Sequence, residues 1–97
     1  MKTRYLITYD ICNEERLRRV FKTMKGAGEW LQYSVFQCDL SEREREELIS
    51  DLSLLINKNE DQVLFINLGA SESRGAKTSI EALGRRYEKQ ERKATIL

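Results

Sequence analysis

The chain has 97 residues, and its 17 lysines and arginines nearly balance its 16 aspartates and glutamates. This length supports one small domain, and a net charge of +1 excludes a protein whose whole surface attracts polyanions. A site for nucleic acid must therefore be local. Because the chain has no histidine, general-base chemistry near neutral pH must come from a metal-bound hydroxide or a carboxylate of perturbed pKa.

The first predicted element is a strand over residues 4–9, RYLITY, which are β-branched and aromatic. Its alternation puts Tyr5, Ile7 and Tyr9 on one face. Asp10 follows on the opposite face, at the C-terminal end of the strand. The sequence thus places an acidic side chain where a strand stops.

A helix follows this strand. Asn13 is a suitable cap, and the helix is expected to end at Gly26 or Gly28. Its apolar side chains recur with helical spacing, at Leu17, Val20, Phe21 and Met24. The pattern predicts an amphipathic helix directly after Asp10.

The middle of the chain alternates between strand and helix signals. Residues 29–40 favour either one long strand or two short strands that bend near Ser34. Ser41 and Glu44 match a capping box that opens a second amphipathic helix. Residues 62–68 predict a further apolar strand, and 69–79 have the composition of a loop.

This order predicts an α+β, ferredoxin-like β-α-β-β-α-β sandwich over residues 1–70. The strands are apolar on both faces, and two helices can cover only one face of the sheet. A homodimer that packs sheet to sheet would cover the other face. We expect residues 71–97 to form a C-terminal loop and an extra strand, 94–97, that docks across this dimer.

The chain contains two cysteines, Cys12 and Cys38. They are too few for a disulfide scaffold or a zinc site, so we expect two buried free thiols in a reducing compartment. The N-terminus lacks the apolar core of a signal peptide, and no segment approaches the roughly 20 apolar residues of a membrane helix. These features predict a cytoplasmic protein.

Asp10 is the candidate metal ligand. A two-fold axis near the strand ends would bring two copies of Asp10 together, where a bridging Mg²⁺ could bind a phosphodiester and activate water. Arg16 and Arg19 on the following helix could hold neighbouring phosphates. The alternative is that Asp10 interacts only with the helix dipole and that the basic residues form an ordinary solvated face.

Three further residues are candidates for nucleic-acid contacts. Arg74 and Lys77 in the predicted loop could track phosphates together with the basic segment 85–93. Ser34 could donate to a phosphate or to a metal-bound water. The second helix is acidic and is expected to face away from any nucleic acid.

Several segments together resemble the small CRISPR adaptation proteins of the Cas2 family. They are TYDI at 8–11, RLRRV at 16–20, the glycines at 26 and 28, LQYSVFQCDL at 31–40 and DQVLFINLG at 61–69. The match covers residues 1 to about 70 in order and spacing. The resemblance implies a ferredoxin-like homodimer in which the paired Asp10 carboxylates bind Mg²⁺ or Mn²⁺.

The resemblance also implies which residues surround the site and what the protein does. Tyr9, Asp10, Arg19 and Phe36 match residues that the family uses around its proposed active site. The family is described as metal-dependent endonucleases on single-stranded RNA or double-stranded DNA, and as the adaptor between dimers of the Cas1 integrase in spacer acquisition. We expect the adaptor role on double-stranded DNA to be the biological one. The alternative is a nuclease as the main role, and an RNA reader with surface aromatics is disfavoured by the lack of an RRM-type motif.

Overall fold

The computed structural model describes residues 1–71 and 81–85. Four strands and two helices follow in the order β1 (Thr3–Asp10), α1 (Glu14–Ala27), β2 (Glu29–Gln32), β3 (Val35–Leu40), α2 (Glu42–Leu55) and β4 (Gln62–Ala70). The strands pair antiparallel in the order β2-β3-β1-β4. The predicted α+β, ferredoxin-like fold is confirmed. The strand predicted for 94–97 lies outside the described residues.

The middle segment forms two strands, which settles the alternative that the sequence left open. β2 and β3 pair as a hairpin whose register runs from Glu29 opposite Gln37 to Gln32 opposite Val35. The chain turns between them at Tyr33 and Ser34.

Side-chain caps open both helices, as predicted. The Asn13 carboxamide oxygen accepts a hydrogen bond from the Arg16 N–H at 2.9 Å, and α1 ends at Gly28, whose N–H donates to Met24. At α2, Ser41 and Glu44 form the reciprocal capping box. These local bonds fix where each helix starts, and so fix where the helices cross the sheet.

The core lies between the two helices and one face of the sheet. Alternate residues of β1 and β3 point into it, and each helix contributes one apolar stripe. The buried apolar residues are Tyr5, Ile7, Tyr9, Val20, Phe21, Met24, Phe36, Cys38, Leu40, Leu48 and Leu52. The predicted division of β1 into two faces is therefore confirmed.

The other face of the sheet, which we call the open face, carries no helix in the described part of the chain. On β4 it exposes Leu64 and Ile66, with 46% and 41% of their surface accessible, and Ile66 pairs with Leu6 of β1. Arg4 and Asp39 form a two-bond ion pair on this face at 2.8 and 3.0 Å. The open face is apolar at its centre and polar towards its ends.

Two expectations need correction. Cys38 is buried as predicted, but Cys12 is exposed, because it lies in the loop after β1 where its thiol donates to the Glu60 carbonyl at 2.9 Å. The last strand runs to Ala70, so the predicted loop starts later than residue 69. In the described ranges, no helix combines the length and apolar character needed to cross a membrane.

Candidate metal and nucleic-acid site

Asp10 ends β1 on the open face, where it is exposed. Its neighbour in register is Gln62 of β4. Among residues 1–71 and 81–85, no three acidic or cysteine side chains converge as a complete metal site would require. One carboxylate suits a hard cation such as Mg²⁺ as a single ligand, and waters, a phosphate or a second copy of Asp10 would have to supply the others.

Two other segments meet β1 at the end where Asp10 lies. The Tyr9 N–H donates to the Ser34 carbonyl at 3.2 Å, which brings the β2–β3 turn beside the end of β1. On the other side, residues 57–61 lead into β4. We call this region, with the turn, the end of β1 and the 57–61 loop, the Asp10 end of the sheet.

A buried carboxylate holds the Asp10 end together. The Asp61 side chain has no exposed surface. Its two oxygens accept hydrogen bonds from Arg16 Nε and Nη2 at 2.8 and 3.1 Å, and from the N–H groups of Cys12 and Asn57 at 2.9 and 2.8 Å. The Arg16 guanidinium keeps the pKa of Asp61 well below its usual range. These bonds tie the segment after Asp10 to α1 and to the loop before β4.

Arg16 was predicted to bind a phosphate, and the structure places its guanidinium against two carboxylates of its own chain. Besides the Asp61 bonds, Nη2 donates to Glu60 at 2.9 Å. The two carboxylates raise the pKa of Arg16. Because one positive charge faces two negative ones, the cluster has no surplus positive charge for a phosphate. The phosphate contact of Arg16 stays a prediction, and its visible contacts are structural.

Arg19 is more available than Arg16. Its Nη2 donates to Glu15 at 3.3 Å, and both side chains are more than half exposed. A solvent-exposed pair of this kind contributes little stability, so a phosphate can replace Glu15 as the partner of Arg19. Arg18 and Lys22 are also exposed on α1. The predicted basic surface of α1 therefore exists, and its binding role stays a prediction.

Tyr9 and Phe36, which the resemblance places around the active site, both lie in the core. Phe36 has no exposed surface, and its ring stacks on Tyr9 with 6.3 Å between centroids. The Tyr9 hydroxyl is buried and has no hydrogen-bond partner within the described ranges. Both side chains point to the helix side of the sheet, opposite to Asp10. Their predicted roles stay predictions that this geometry does not support.

Burial also changes the chemistry of Tyr9. It raises the pKa of the phenol to about 12, and the smaller effect of the nearby Ser34 side chain opposes this shift. The phenol is neutral near pH 7, as an ordinary tyrosine is, and its hydroxyl has almost no exposed surface. This burial disfavours a role for Tyr9 in proton transfer.

Three predicted candidates remain: Ser34, Arg74 and Lys77. Ser34 is half-buried in the β2–β3 turn, its carbonyl accepts from the Tyr9 N–H, and the binding role of its hydroxyl stays a prediction. Arg74 and Lys77 lie outside the described residues. Asp61 was not identified from the sequence, and the signal for it was an acidic residue directly before an apolar strand, in DQVLF at 61–65.

Comparisons with known proteins agree with this geometry. The family model described as "CRISPR associated protein Cas2" matches residues 1–75. A Rhodospirillum rubrum protein named "CRISPR-associated endoribonuclease Cas2 1" is 44% identical over 93 residues, which are 96% of this chain and 89% of that protein. The "CRISPR-associated endoribonuclease Cas2" of Geobacter sulfurreducens is 38% identical over 97 residues, the full length of both chains.

Solved structures show the same fold. The crystal structure of Streptococcus pyogenes Cas2 at pH 6.5 superposes with a TM-score of 0.68 at 31% identity, covering 84% of this chain and 99% of that one. The crystal structure of the hypothetical protein TT1823 from Thermus thermophilus gives a TM-score of 0.72 at 26% identity, covering 91% of this chain and 100% of that one. Since the family model spans most of the chain and the relatives match along nearly all of it, the chain belongs to the CRISPR-associated Cas2 family.

Proposed function

We propose that this chain acts as a homodimer whose subunits pack through their open faces. The observation that carries the proposal is the apolar centre of that face, where Leu64 and Ile66 are exposed beside an acidic residue at the Asp10 end. Contiguous exposed apolar surface on a small domain is typical of an interface. A symmetric pair would bury it on both subunits at once.

The proposed role of the dimer is that of an adaptor in CRISPR spacer acquisition. It would hold double-stranded DNA and bind the Cas1 integrase, with the segment 71–97 docking across the dimer. Exposed cations on α1, Arg18, Arg19 and Lys22, support a phosphate track on one side. The acidic residues of α2 lie on a different helix, which supports a DNA path that avoids it.

A second candidate function is phosphodiester hydrolysis at the Asp10 end. It is favoured by the exposed Asp10 carboxylate and by the word endoribonuclease in the names of the relatives. Two copies of Asp10 would hold Mg²⁺ or Mn²⁺, and such an ion lowers the pKa of bound water and stabilises negative charge on phosphate oxygens. Arg19 would orient the phosphate, and Asp61 would keep the segment after Asp10 in place.

Asp10→Asn tests the two functions against each other, because it removes the charge and keeps the size of the side chain. Cleavage of single-stranded RNA and duplex DNA is measured with Mg²⁺, and spacer acquisition is measured in cells that also express Cas1. We expect cleavage to fall at least about 100-fold and acquisition to persist. Asp51→Asn on the exposed side of α2 is the matched control.

The outcomes separate cleanly when sedimentation shows that both variants still dimerise. Loss of both activities would make hydrolysis the main function and overturn the adaptor role as the primary one. Unchanged cleavage in Asp10→Asn would remove Asp10 from the reaction. Acquisition that proceeds equally well without this protein would remove the adaptor role.

A further inference from the structure

The turn between β2 and β3 holds a tyrosine in a costly backbone conformation. Tyr33 has φ of 42°, and it is the one residue other than glycine with positive φ in the described ranges. This left-handed region suits Gly, Asn and Asp, which dominate two-residue hairpin turns. A bulky aromatic residue there lowers stability, and backbone strain of this kind concentrates at functional sites.

The backbone of this turn is fixed from both sides. The Trp30 indole N–H donates to the Tyr33 carbonyl at 2.9 Å. Trp30 is itself seated edge-on against Phe21, with 5.0 Å between ring centroids. On the β1 side, the backbone N–H of Tyr9 donates to the carbonyl of Ser34 at 3.2 Å. The turn is therefore a rigid support and does not act as a loose loop.

The Tyr33 ring, in contrast, is left open. It has 66% of its surface exposed, and it makes no aromatic or hydrogen-bonding side-chain contact with the described residues. The hydroxyl group is not needed for the fold, and the ring adds nothing to the core. Tyr33 thus combines a strained backbone conformation with an aromatic ring that is exposed to the solvent.

The position of the ring links it to the proposed function. The turn lies at the Asp10 end, because Val35 pairs with Thr8 and Ser34 lies beside Tyr9. Helix α1, with exposed Arg18 and Arg19 in its first two turns, begins at this same end. The exposed arginines, which can bind phosphates, and the Tyr33 ring, which can stack on a base, therefore lie at the same end of the sheet.

We propose that Tyr33 is a stacking platform for a nucleobase, and specifically for an unpaired base of a single strand whose backbone passes the Asp10 end. The inference rests on the proposed binding of nucleic acid. Aromatic rings bind bases of any identity, because every base has a π face. The hydrogen bonds to the Tyr33 and Ser34 carbonyls hold the turn backbone, so binding a base orders only the two side-chain torsions of Tyr33.

The test compares Tyr33→Asn with Tyr33→Phe in the full-length protein. Asn tolerates positive φ and has no ring, whereas Phe keeps the ring and loses only the hydroxyl. The probes are a fluorescein-labelled single-stranded oligonucleotide, an abasic strand with the same number of phosphates, and a blunt duplex, all measured by fluorescence anisotropy. We expect Tyr33→Asn to bind the single strand about 5- to 150-fold more weakly.

Three further results are expected. Tyr33→Asn binds the abasic strand as the wild type does, because the phosphate contacts remain. Tyr33→Phe binds all probes as the wild type does. The melting temperature of Tyr33→Asn rises or stays unchanged, because the strain at the turn is relieved.

Failure of the inference and failure of the proposed function look different. If the wild type binds none of the three probes, the nucleic-acid function itself fails. If the wild type binds them and Tyr33→Asn weakens all equally, or none, the platform is overturned. A loss confined to the blunt duplex would assign the ring to a terminal base pair and overturn the single-strand assignment, and a lower melting temperature would overturn the strain argument.

Discussion

Tyr9 packs in the hydrophobic core, and its hydroxyl is a buried polar group. Its hydroxyl is buried without a partner in the described part of the chain, and a buried unpaired hydroxyl lowers stability. We therefore expect Tyr9→Phe to raise the free energy of unfolding by about 1 kcal/mol, measured by urea denaturation at pH 7. Tyr33→Phe, which removes an exposed hydroxyl, is the control and should change nothing.

The same hydroxyl predicts a response to alkali. Burial raises the pKa of Tyr9 to about 12, so the folded chain keeps this proton when the unfolded chain, at its ordinary pKa near 10, has lost it. The stabilising effect is present below pH 10 and is lost as the pH rises from about 10 to 12. Tyr9→Phe should show a smaller loss across this range. A variant that unfolds like the wild type, or that loses cleavage while folded, would contradict the packing role.

For Asp61 we expect the folded protein to lose stability in acid. Arg16 holds its pKa below the ordinary value near 3.9. The stability it provides is present above about pH 4 and is lost as the pH falls through the depressed native pKa. Asp61→Asn should therefore lower the free energy of unfolding at pH 7 and remove most of the dependence on pH below 4.

The size of this effect follows from the shallow position of Asp61. The Asp61 side chain is buried, but Cys12 and Glu60 in the same cluster are exposed, so the cluster lies close to the solvent. We expect a loss of about 2–3 kcal/mol, as for hydrogen bonds to a charged group. Glu15→Gln removes the exposed ion pair between Glu15 and Arg19 on α1, the helix that carries Arg16. It should leave the denaturation midpoint nearly unchanged. Equal losses in the two variants would refute a special role for Asp61.

At the scale of elements, the two glycines near the end of α1 differ in the space around them. Gly26 has no atom within 4 Å of the position where a Cβ would stand, whereas a Cβ on Gly28 would overlap the Cys38 thiol and the Gln37 carbonyl. Gly28 has an extended φ of −168°, so space and not backbone conformation requires glycine there. It lets the chain pass from α1 to β2 close over β3.

These glycines give a matched pair of substitutions. Gly28→Ala should lower the free energy of unfolding by about 2–3 kcal/mol, because the central strand β3 cannot move away. Gly26→Ala should raise it by up to about 1 kcal/mol, because alanine is the better helix former. Thermal denaturation of both variants measures the difference. A stable Gly28→Ala with an unshifted melting temperature would show that α1 does not need this close approach.

Much of the fold could be predicted because its signals are local. The alternation in β1, the cap at Asn13 and the box at Ser41 and Glu44 each depend on residues a few positions apart. The turn at Tyr33 was ambiguous, because it lacks the Gly or Asn that usually marks a hairpin. The sequence therefore located the elements better than the turn that joins two of them.

The site was harder to predict, because its contacts join distant parts of the chain. Arg16 and Asp61 are 45 residues apart, and only the fold brings them together. Charge pattern alone could not distinguish this ion pair from a phosphate-binding arginine. Phe36 matched the family pattern by position, but its burial depends on how α1 packs over the hairpin. The face of Asp10 was predicted, because strand alternation determines it, and its role as a metal ligand stays a prediction.

At the scale of the whole molecule, the proposed dimer decides whether Asp10 acts alone. Ile66 lies opposite Leu6 near the centre of the open face. Ile66→Asp would bury one unpaired carboxylate from each subunit in the interface, and burying unpaired charges costs several kcal/mol. We expect the dissociation constant of the dimer to rise at least about 100-fold, measured by sedimentation equilibrium.

Leu54 supplies the matched control, because it is 85% exposed on α2, on the opposite side of the molecule. Leu54→Asp adds the same charge and should leave the dimer intact. If Leu54→Asp dissociates the protein and Ile66→Asp does not, the helices and not the open face form the interface. A folded Ile66→Asp monomer that still cleaves at the wild-type rate per subunit would mean that one Asp10 is sufficient. Loss of cleavage on dissociation, with the melting transition preserved, would instead require both carboxylates in one composite site.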